Sequence, residues 1–310
     1  MPPLDHTPSQ DHVQRAESAV NAIILGKRRQ VRLALACLLA DGHLLIEDLP
    51  GMGKTTLATT LARVFGLAFN RIQFTSDLLP ADIVGANVFD RNSGSFEFHP
   101  GPIFAQMVLA DEINRATPRT QSALLEGMEE RRVSVDGESH ALERPFFVIA
   151  TQNPSSHLGT YDLPESQLDR FLMRISLGFP DEAAERALLN GDDPRRRAET
   201  QQEVMAPAAL TALQAAARSL HVSDALLDYL TRLLSASRGD DRFRYGLSPR
   251  AGRGILAAAR AYAMLSGRDH VLPDDVQAVL PATVDHRMAP QDPYATTSAA
   301  AVLLAEVEPV

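Results

Sequence analysis

Lys54 and Thr55 stand near the end of Leu-Ile-Glu-Asp-Leu-Pro-Gly-Met-Gly-Lys-Thr-Thr, residues 45–56. An amine and a hydroxyl behind closely spaced glycines form a phosphate-binding set. The stretch Pro50, Gly51, Met52, Gly53 lets backbone N–H groups approach an anion, and a following helix N-terminus adds partial positive charge. Lys54 can reach β- and γ-phosphates, the Thr55 hydroxyl can ligate Mg2+, and Thr56 continues into the helix. The pattern departs from the usual phosphate loop at one place, where Asp48 replaces the first glycine. A second set is Met-Val-Leu-Ala-Asp-Glu, residues 107–112. Asp111 can hold Mg2+ through its waters, and Glu112 can take a proton from, or orient, an attacking water. Adjacent acids at a strand end suit an ATPase better than a GTPase. A third candidate is Asn153, which ends the next apolar run. By itself an Asn before a proline reads as a turn former. At the carboxyl end of a parallel strand it would face the γ-phosphate beside Glu112. Arg170 in Leu-Pro-Glu-Ser-Gln-Leu-Asp-Arg-Phe and Arg250 in Gly-Leu-Ser-Pro-Arg-Ala-Gly-Arg offer cations against developing charge. Standing alone, either would be read as a surface salt-bridge residue.

These residues need strands that end together and helices that begin there. Val13 to about Ala40 reads as helical, interrupted at Ile24-Leu25-Gly26. Residues 44–47 read as a strand, followed after the glycines by a helix to about Val64. Residues 69–75 alternate like a strand. Residues 76–104 form an excursion with a hairpin, 87–89 returning at 96–98. A buried strand at 107–110, a helix over 117–129 and a second hairpin follow. That hairpin pairs 132–135 with 141–144 and turns through Asp136-Gly137. Strands are expected at 146–150 and 175–177. Beyond Pro180 the spacing is helical throughout, with helices near 181–190, 207–219, 223–237, 248–266 and 273–280. Alternating strands and helices imply an α/β parallel sheet, then an all-α part. The expected divisions are a mobile leader at 1–10, an α/β nucleotide-binding domain at 11–180 and an all-α lid at 181–310.

The chain has 310 residues and 45% apolar content, enough for a sizeable core. Its single cysteine, Cys37, excludes an internal disulfide and lies in an apolar helical pattern. Neither a signal peptide nor a membrane span is recognisable, so a cytoplasmic protein is expected. The net charge of −9 argues against general nucleic-acid binding.

The sequence resembles the AAA+ ATPases and, within them, the MoxR family, over about residues 13–290. The strings that carry the resemblance are H-L-L-I-E-D-L-P-G-M-G-K-T, R-I-Q-F-T-S-D-L-L-P-A-D-I-V-G, F-E-F-H-P-G-P-I-F-A-Q, L-A-D-E-I-N-R-A-T-P-R-T-Q-S-A-L-L-E-G-M-E-E, I-A-T-Q-N-P, G-T-Y-D-L-P-E-S-Q-L-D-R-F and S-P-R-A. Asp48 matches the family's own form of the loop. The resemblance implies Walker A at Lys54 and Thr55, Walker B at Asp111 and Glu112, and sensor 1 at Asn153. It implies an arginine finger at Arg170, acting on a neighbouring subunit's nucleotide. It also implies sensor 2 at Arg250, contacting the γ-phosphate from the lid, and an adenine pocket at Ile24 and Leu25. Arg115 is either an interface residue or an ordinary salt-bridge partner. Residues 83–100 correspond to the helix-2 insert and 131–145 to the pre-sensor-1 hairpin. Phe96, Phe98 and His99 are candidates for client contact, unless the two phenylalanines face inward.

The function implied is an ATP-hydrolysing, Mg2+-dependent, chaperone-like motor in a ring, a hexamer. It would remodel or activate partners such as those with von Willebrand factor A domains. A DNA-associated motor and a metal-chelatase-type subunit are the alternatives. The acidic charge and the lack of a DNA-binding module count against the former. A catalytically idle scaffold is disfavoured by the full set Lys54, Thr55, Asp111, Glu112 and Asn153.

Overall fold

A computed structural model describes residues 8–153, 160–292 and 297–309. Five strands carry the architecture: β1 (Leu44–Glu47), β2 (Phe69–Gln73), β5 (Met107–Asp111), β8 (Phe147–Gln152) and β9 (Met173–Ile175). They form one parallel sheet in the order β2-β5-β8-β1-β9. The central strands are apolar on both faces because helices cover both sides. Alternation sends Leu44, Ile46, Met107, Leu109, Phe147 and Ile149 into one core. It sends Leu45, Val108, Ala110, Val148 and Ala150 into the other.

The second core is closed by α4 (Pro80–Val84) and by α5 (Pro118–Glu130), which contributes Leu124, Leu125 and Met128. The first is closed by α1 (Pro8–Ile23), α2 (Arg28–Leu39) and α3 (Lys54–Val64). The helical second half comprises α7 (Glu182–Leu189), α8 (Pro194–Thr200), α9 (Pro207–Arg218), α10 (Asp224–Arg238), α11 (Pro249–Leu265), α12 (Pro273–Val284) and α13 (Ala299–Glu306). Buried residues of α8–α13 run continuously into that first core. Gln214 Nε2 donates to Leu38 O at 2.8 Å across the same junction. The lid thus shares a core with the back of the sheet.

Two hairpins project from the sheet: β3 (Gly85–Asp90) with β4 (Ser95–Pro100), and β6 (Arg132–Val135) with β7 (Glu138–Ala141). The return strand β7 begins three residues before the expected 141–144. Asp136 and Gly137 both have positive φ, 51° and 87°, so a two-residue turn closes the hairpin at once. β9 lies at 173–175 rather than 175–177, held by pairing of Met173 with Leu44. The last lid helix of the expected set passes through Pro281 to Val284. α4, α6 (Glu165–Leu168), α8 and α13 are additional to the expected elements. Of the expected leader, residues 1–7 lie outside the described residues, and α1 already begins at Pro8.

Candidate active site

The loop between β1 and α3 has its glycines where phosphates require them. Gly51 and Gly53 have φ of 86° and 91°, and a Cβ on either would meet nothing within 4 Å. The left-handed backbone aims N–H groups into open space and would strain any other residue. α3 starts at Lys54, so its unpaired N–H groups face the same space. Lys54 is buried, and its Nζ donates to Asp48 O at 2.6 Å and Asn153 Oδ1 at 3.1 Å. An ammonium has three donors, so one is left for a ligand. Burial lowers the Lys54 pKa, against the pull of Asp48, Asp111 and Glu112. An incoming phosphate would favour the charged form further.

Asp48 has a different task from its glycine counterpart. Its Oδ1 accepts from Leu49 N at 3.0 Å, and its Oδ2 accepts from Gly178 N at 2.7 Å and Ser176 Oγ at 3.2 Å. The carboxylate braces the loop after β9 against the phosphate loop instead of facing a phosphate. Lys27 completes the brace by donating to Gly178 O at 2.8 Å and to Phe179 O. Sequence reasoning missed Lys27, which lies just beyond the Ile24-Leu25-Gly26 break.

The acids lie where β5 ends. Asp111 Oδ1 accepts from Thr151 Oγ1 at 2.6 Å, and its Oδ2 pairs with Arg71 at 2.6 Å. Thr151 also accepts from Glu112 N at 2.8 Å, so one hydroxyl ties β8 to both acids. Glu112 adopts left-handed backbone, φ 57° and ψ 49°. Such strain in a non-glycine residue persists only where surroundings hold it. Its Oε1 accepts from Asn153 Nδ2 at 3.1 Å, and its Oε2 from Gln73 at 3.2 Å and Arg115 at 2.8 Å. Asn153 thus bridges Lys54 and Glu112, oxygen to the amine and nitrogen to the acid. Arg115 is seen in its salt-bridge role. Arg71, Gln73 and Thr151 were not singled out from sequence. The signal was present: Arg71 and Gln73 alternate on β2, and Gln73 registers with Asp111.

A cavity of about 480 Å3 adjoins the loop and is lined by Ile24, Leu25, Met52, Thr56, Pro180 and Leu188, among others. That volume suits a small-molecule site. It brings together the expected Ile24, Leu25, Gly51, Met52, Gly53 and Thr56, and adds the start of the helical half through Pro194 and Arg195. For Mg2+, Thr55 and Asp111 are the candidates. No cluster of three or more metal-ligating side chains occurs among the described residues. That accords with Mg2+, which takes one or two carboxylates and completes its shell with phosphates and water. Thr151 and Arg71 already engage both oxygens of Asp111, so Mg2+ would compete with Arg71 there or be held through its waters.

Arg170 and Arg250 are not brought to this loop. Arg170 precedes β9 and pairs with Glu129 at 3.0 Å; Arg250 pairs with the same glutamate at 2.7 Å. Glu129 lies near the C-terminus of α5, beside Arg131, which donates to Asp41 and to Phe146 O. Asp41, Arg131, Phe146 and Arg170 precede strands and Arg250 reaches them from α11 through Glu129, whereas Lys54, Glu112 and Asn153 follow strands. The arginines therefore occupy the opposite edge of the sheet. The expectation of Arg250 at the γ-phosphate is unmet within one chain, because the lid packs behind the sheet through α2 and β9.

The hairpin candidates divide. Phe98 turns inward, stacked on His140 at 3.8 Å and edge-on to Phe104 at 5.6 Å. Phe96 is exposed and meets the edge of exposed Phe89 at 5.3 Å. His99 lies exposed on β4.

A glycine-lined phosphate loop, paired acids on the adjacent-but-one strand, an amide between them and a helical lid define an AAA+ ATPase. The family described as "ATPase family associated with various cellular activities (AAA)" matches residues 43–173, and the AAA lid domain matches residues 235–305. A solved protein of Cytophaga hutchinsonii superposes with a TM-score of 0.87 at 31% identity, covering 97% of this chain and 96% of its own. Chaperone MoxR1 of Mycobacterium tuberculosis is 42% identical over 89% of this chain and 75% of its own length. Protein MoxR of Paracoccus denitrificans is 35% identical over 88% and 87%. The chain belongs to the MoxR family of AAA+ ATPases.

Proposed function

We propose that the protein hydrolyses ATP with Mg2+ as a cytoplasmic ring, a hexamer, and uses the cycle to remodel or activate partner proteins, including proteins with von Willebrand factor A domains. The observation that supports this reading is the placement of two sets of charged and polar groups at opposite ends of the sheet's strands. Lys54, Asn153 and Glu112 lie at one edge, and Arg170 and Arg250 at the other. Head-to-tail contacts between copies would join them, and such contacts form a ring where the rotation between copies closes.

The contacts within one chain support the following assignment of roles. The loop amides and Lys54 would bind the phosphates, and the cavity at Ile24 and Leu25 the adenine. Thr55 and Asp111 would hold Mg2+, which supplies charge neutralisation at the transferring phosphoryl group. Glu112 would accept the proton of the attacking water, oriented by Asn153, whose other end senses the Lys54 side. Arg170 and Arg250 would stabilise developing charge on the neighbour's nucleotide. The name chaperone attached to a relative at 42% identity supports a remodelling role. Phe89 and Phe96 on the first hairpin offer an exposed contact for a client. No helix among the described residues is long and apolar enough to cross a membrane. The charge of −9 disfavours a DNA-associated motor.

ATPase assays of Lys54→Ala and Glu112→Gln test the reading. Loss of nucleotide binding is expected in the first. Retained binding without turnover is expected in the second. Wild-type turnover in both would sink the proposal.

A further inference from the structure

Glu129 links three parts of the molecule. Its Oε2 meets Arg170 Nε at 3.0 Å, from the turn before β9. Its Oε1 meets Arg250 Nη1 at 2.7 Å, from the first turn of the lid helix α11. Two guanidinium groups on one carboxylate lie close enough to repel. The carboxylate between them cancels that repulsion and fixes both orientations. Asp169 supports the arrangement from behind. It bonds Arg287 Nε at 2.7 Å and lies 3.9 Å from Arg250 Nε. Arg287 itself donates to Leu172 O at 3.1 Å and Phe171 O at 2.7 Å. The pair is therefore mounted on the ordered start of β9.

The helix that carries Glu129 begins at the hydrolytic site. α5 has 13 residues, which makes it about 20 Å long. Thr117 caps it, and Pro118 occupies its first turn. Gln121, fully buried, donates from Nε2 to Ile113 O and Ala116 O, both at 3.2 Å, and to Tyr161 O at 3.1 Å. Those carbonyls belong to the turn immediately after Glu112 and to the chain leading toward Arg170. One end of α5 is thus fastened to the chain's own catalytic turn. The other end holds the two arginines.

We propose that Glu129 is a positioning residue: it presents Arg170 and Arg250 as one preorganised pair to the nucleotide of the neighbouring chain, and α5 ties that pair to its own chain's Glu112. The proposal rests on the reading that these arginines act across an interface between copies. Glu129 touches no nucleotide; its effect runs through the guanidinium groups it holds.

Glu129→Gln keeps the shape and removes the charge. Full-length Glu129→Gln is expected to assemble as the wild type does, by sedimentation, and to bind ATP with unchanged affinity. Its kcat is expected to fall about tenfold to a hundredfold, the scale of a misplaced catalytic group. Mixing supplies the readout that a merely structural role would not move. Glu129→Gln chains have a sound nucleotide edge, and Lys54→Ala chains a sound arginine pair. Mixed rings are expected to recover turnover above either variant alone. Should Glu129→Gln lose its fold, Glu129→Asp carries the same mixing test, with a retained charge and a shorter reach. Wild-type kcat in Glu129→Gln, with Arg170→Ala and Arg250→Ala impaired, would overturn the role of Glu129. Impaired turnover that mixing does not restore would also overturn it, by placing the defect in the chain's own site. Wild-type kcat in all three variants would instead remove the cross-interface reading beneath it.

Discussion

At the edge where the strands end, Lys54, Asn153, Glu112, Thr151 and Asp111 satisfy one another within one chain. At the edge where they begin, Arg170, Arg250 and Arg287 converge on Glu129 and Asp169. The first edge has an open glycine cradle with spare N–H groups aimed into it. The second has cations held by carboxylates and no cradle. The first edge carries Lys54 on the glycine loop, with Arg71 and Arg115 paired to Asp111 and Glu112; the second carries guanidinium groups gathered on carboxylates. The proposed two-copy site would use this difference: each copy would contribute opposite ends of its strands to two different sites.

The largest effects should separate the edges. Arg170→Ala is expected to cost about a thousandfold in kcat, the low end for a trans-acting arginine, with ATP binding unchanged. Lys54→Ala should instead abolish binding, which fluorescent-nucleotide titration reads directly. Loss of binding in Arg170→Ala would break the division between edges. Next is Glu112→Gln, expected to lower kcat about a hundredfold or more while retaining bound ATP. Thr151→Val should sharpen the picture of the first edge. It removes the hydroxyl that joins Asp111 to the Glu112 backbone, and a loss of about tenfold in kcat is expected with little change in ATP affinity. Equal kcat would show the hydroxyl to be idle.

The smallest effect concerns pH. His43 and His286 are both buried at the strand-start edge. His43 accepts from Val148 N at 3.0 Å and meets Met128 O at 3.2 Å, and burial holds its pKa down at about 3. His286 meets Phe171 O at 3.1 Å, and burial holds its pKa well below the ordinary value. A histidine depressed in the folded state contributes stability that is complete above the unfolded pKa and lost as pH falls. For His43 the window runs from about 6.5 down to about 3, and the loss by pH 5 is on the order of 2 kcal/mol. Urea denaturation at pH 7 and pH 5 checks this. Equal midpoints, or a higher one at pH 5, would contradict it.

The two edges also differed in how far they could be read from sequence. β1, β5 and β8 are short apolar runs that stop at polar residues, so their ends, and the residues Lys54, Asp111, Glu112 and Asn153, were legible. Hydrogen-bonding partners such as Arg71 and Thr151 were not, because they become neighbours only through strand register. Asp48 was legible as a family trait, but its bracing of Gly178 depends on where the chain returns after β9. Arg250 was placed correctly on a helix and remote from the loop where it was expected. No local pattern in α11 states on which side of the sheet it will pack. That is decided by the core that α2, β9 and α11 share.

The most direct test mixes two crippled chains. Lys54→Ala keeps the arginine edge, and Arg170→Ala keeps the nucleotide edge. If each active site is built from opposite edges of neighbouring copies, equal mixing should pair sound edges at roughly a quarter of the interfaces, and ATPase activity should rise well above either variant alone. If the two edges serve one chain, the mixture will show only the average of its inactive components.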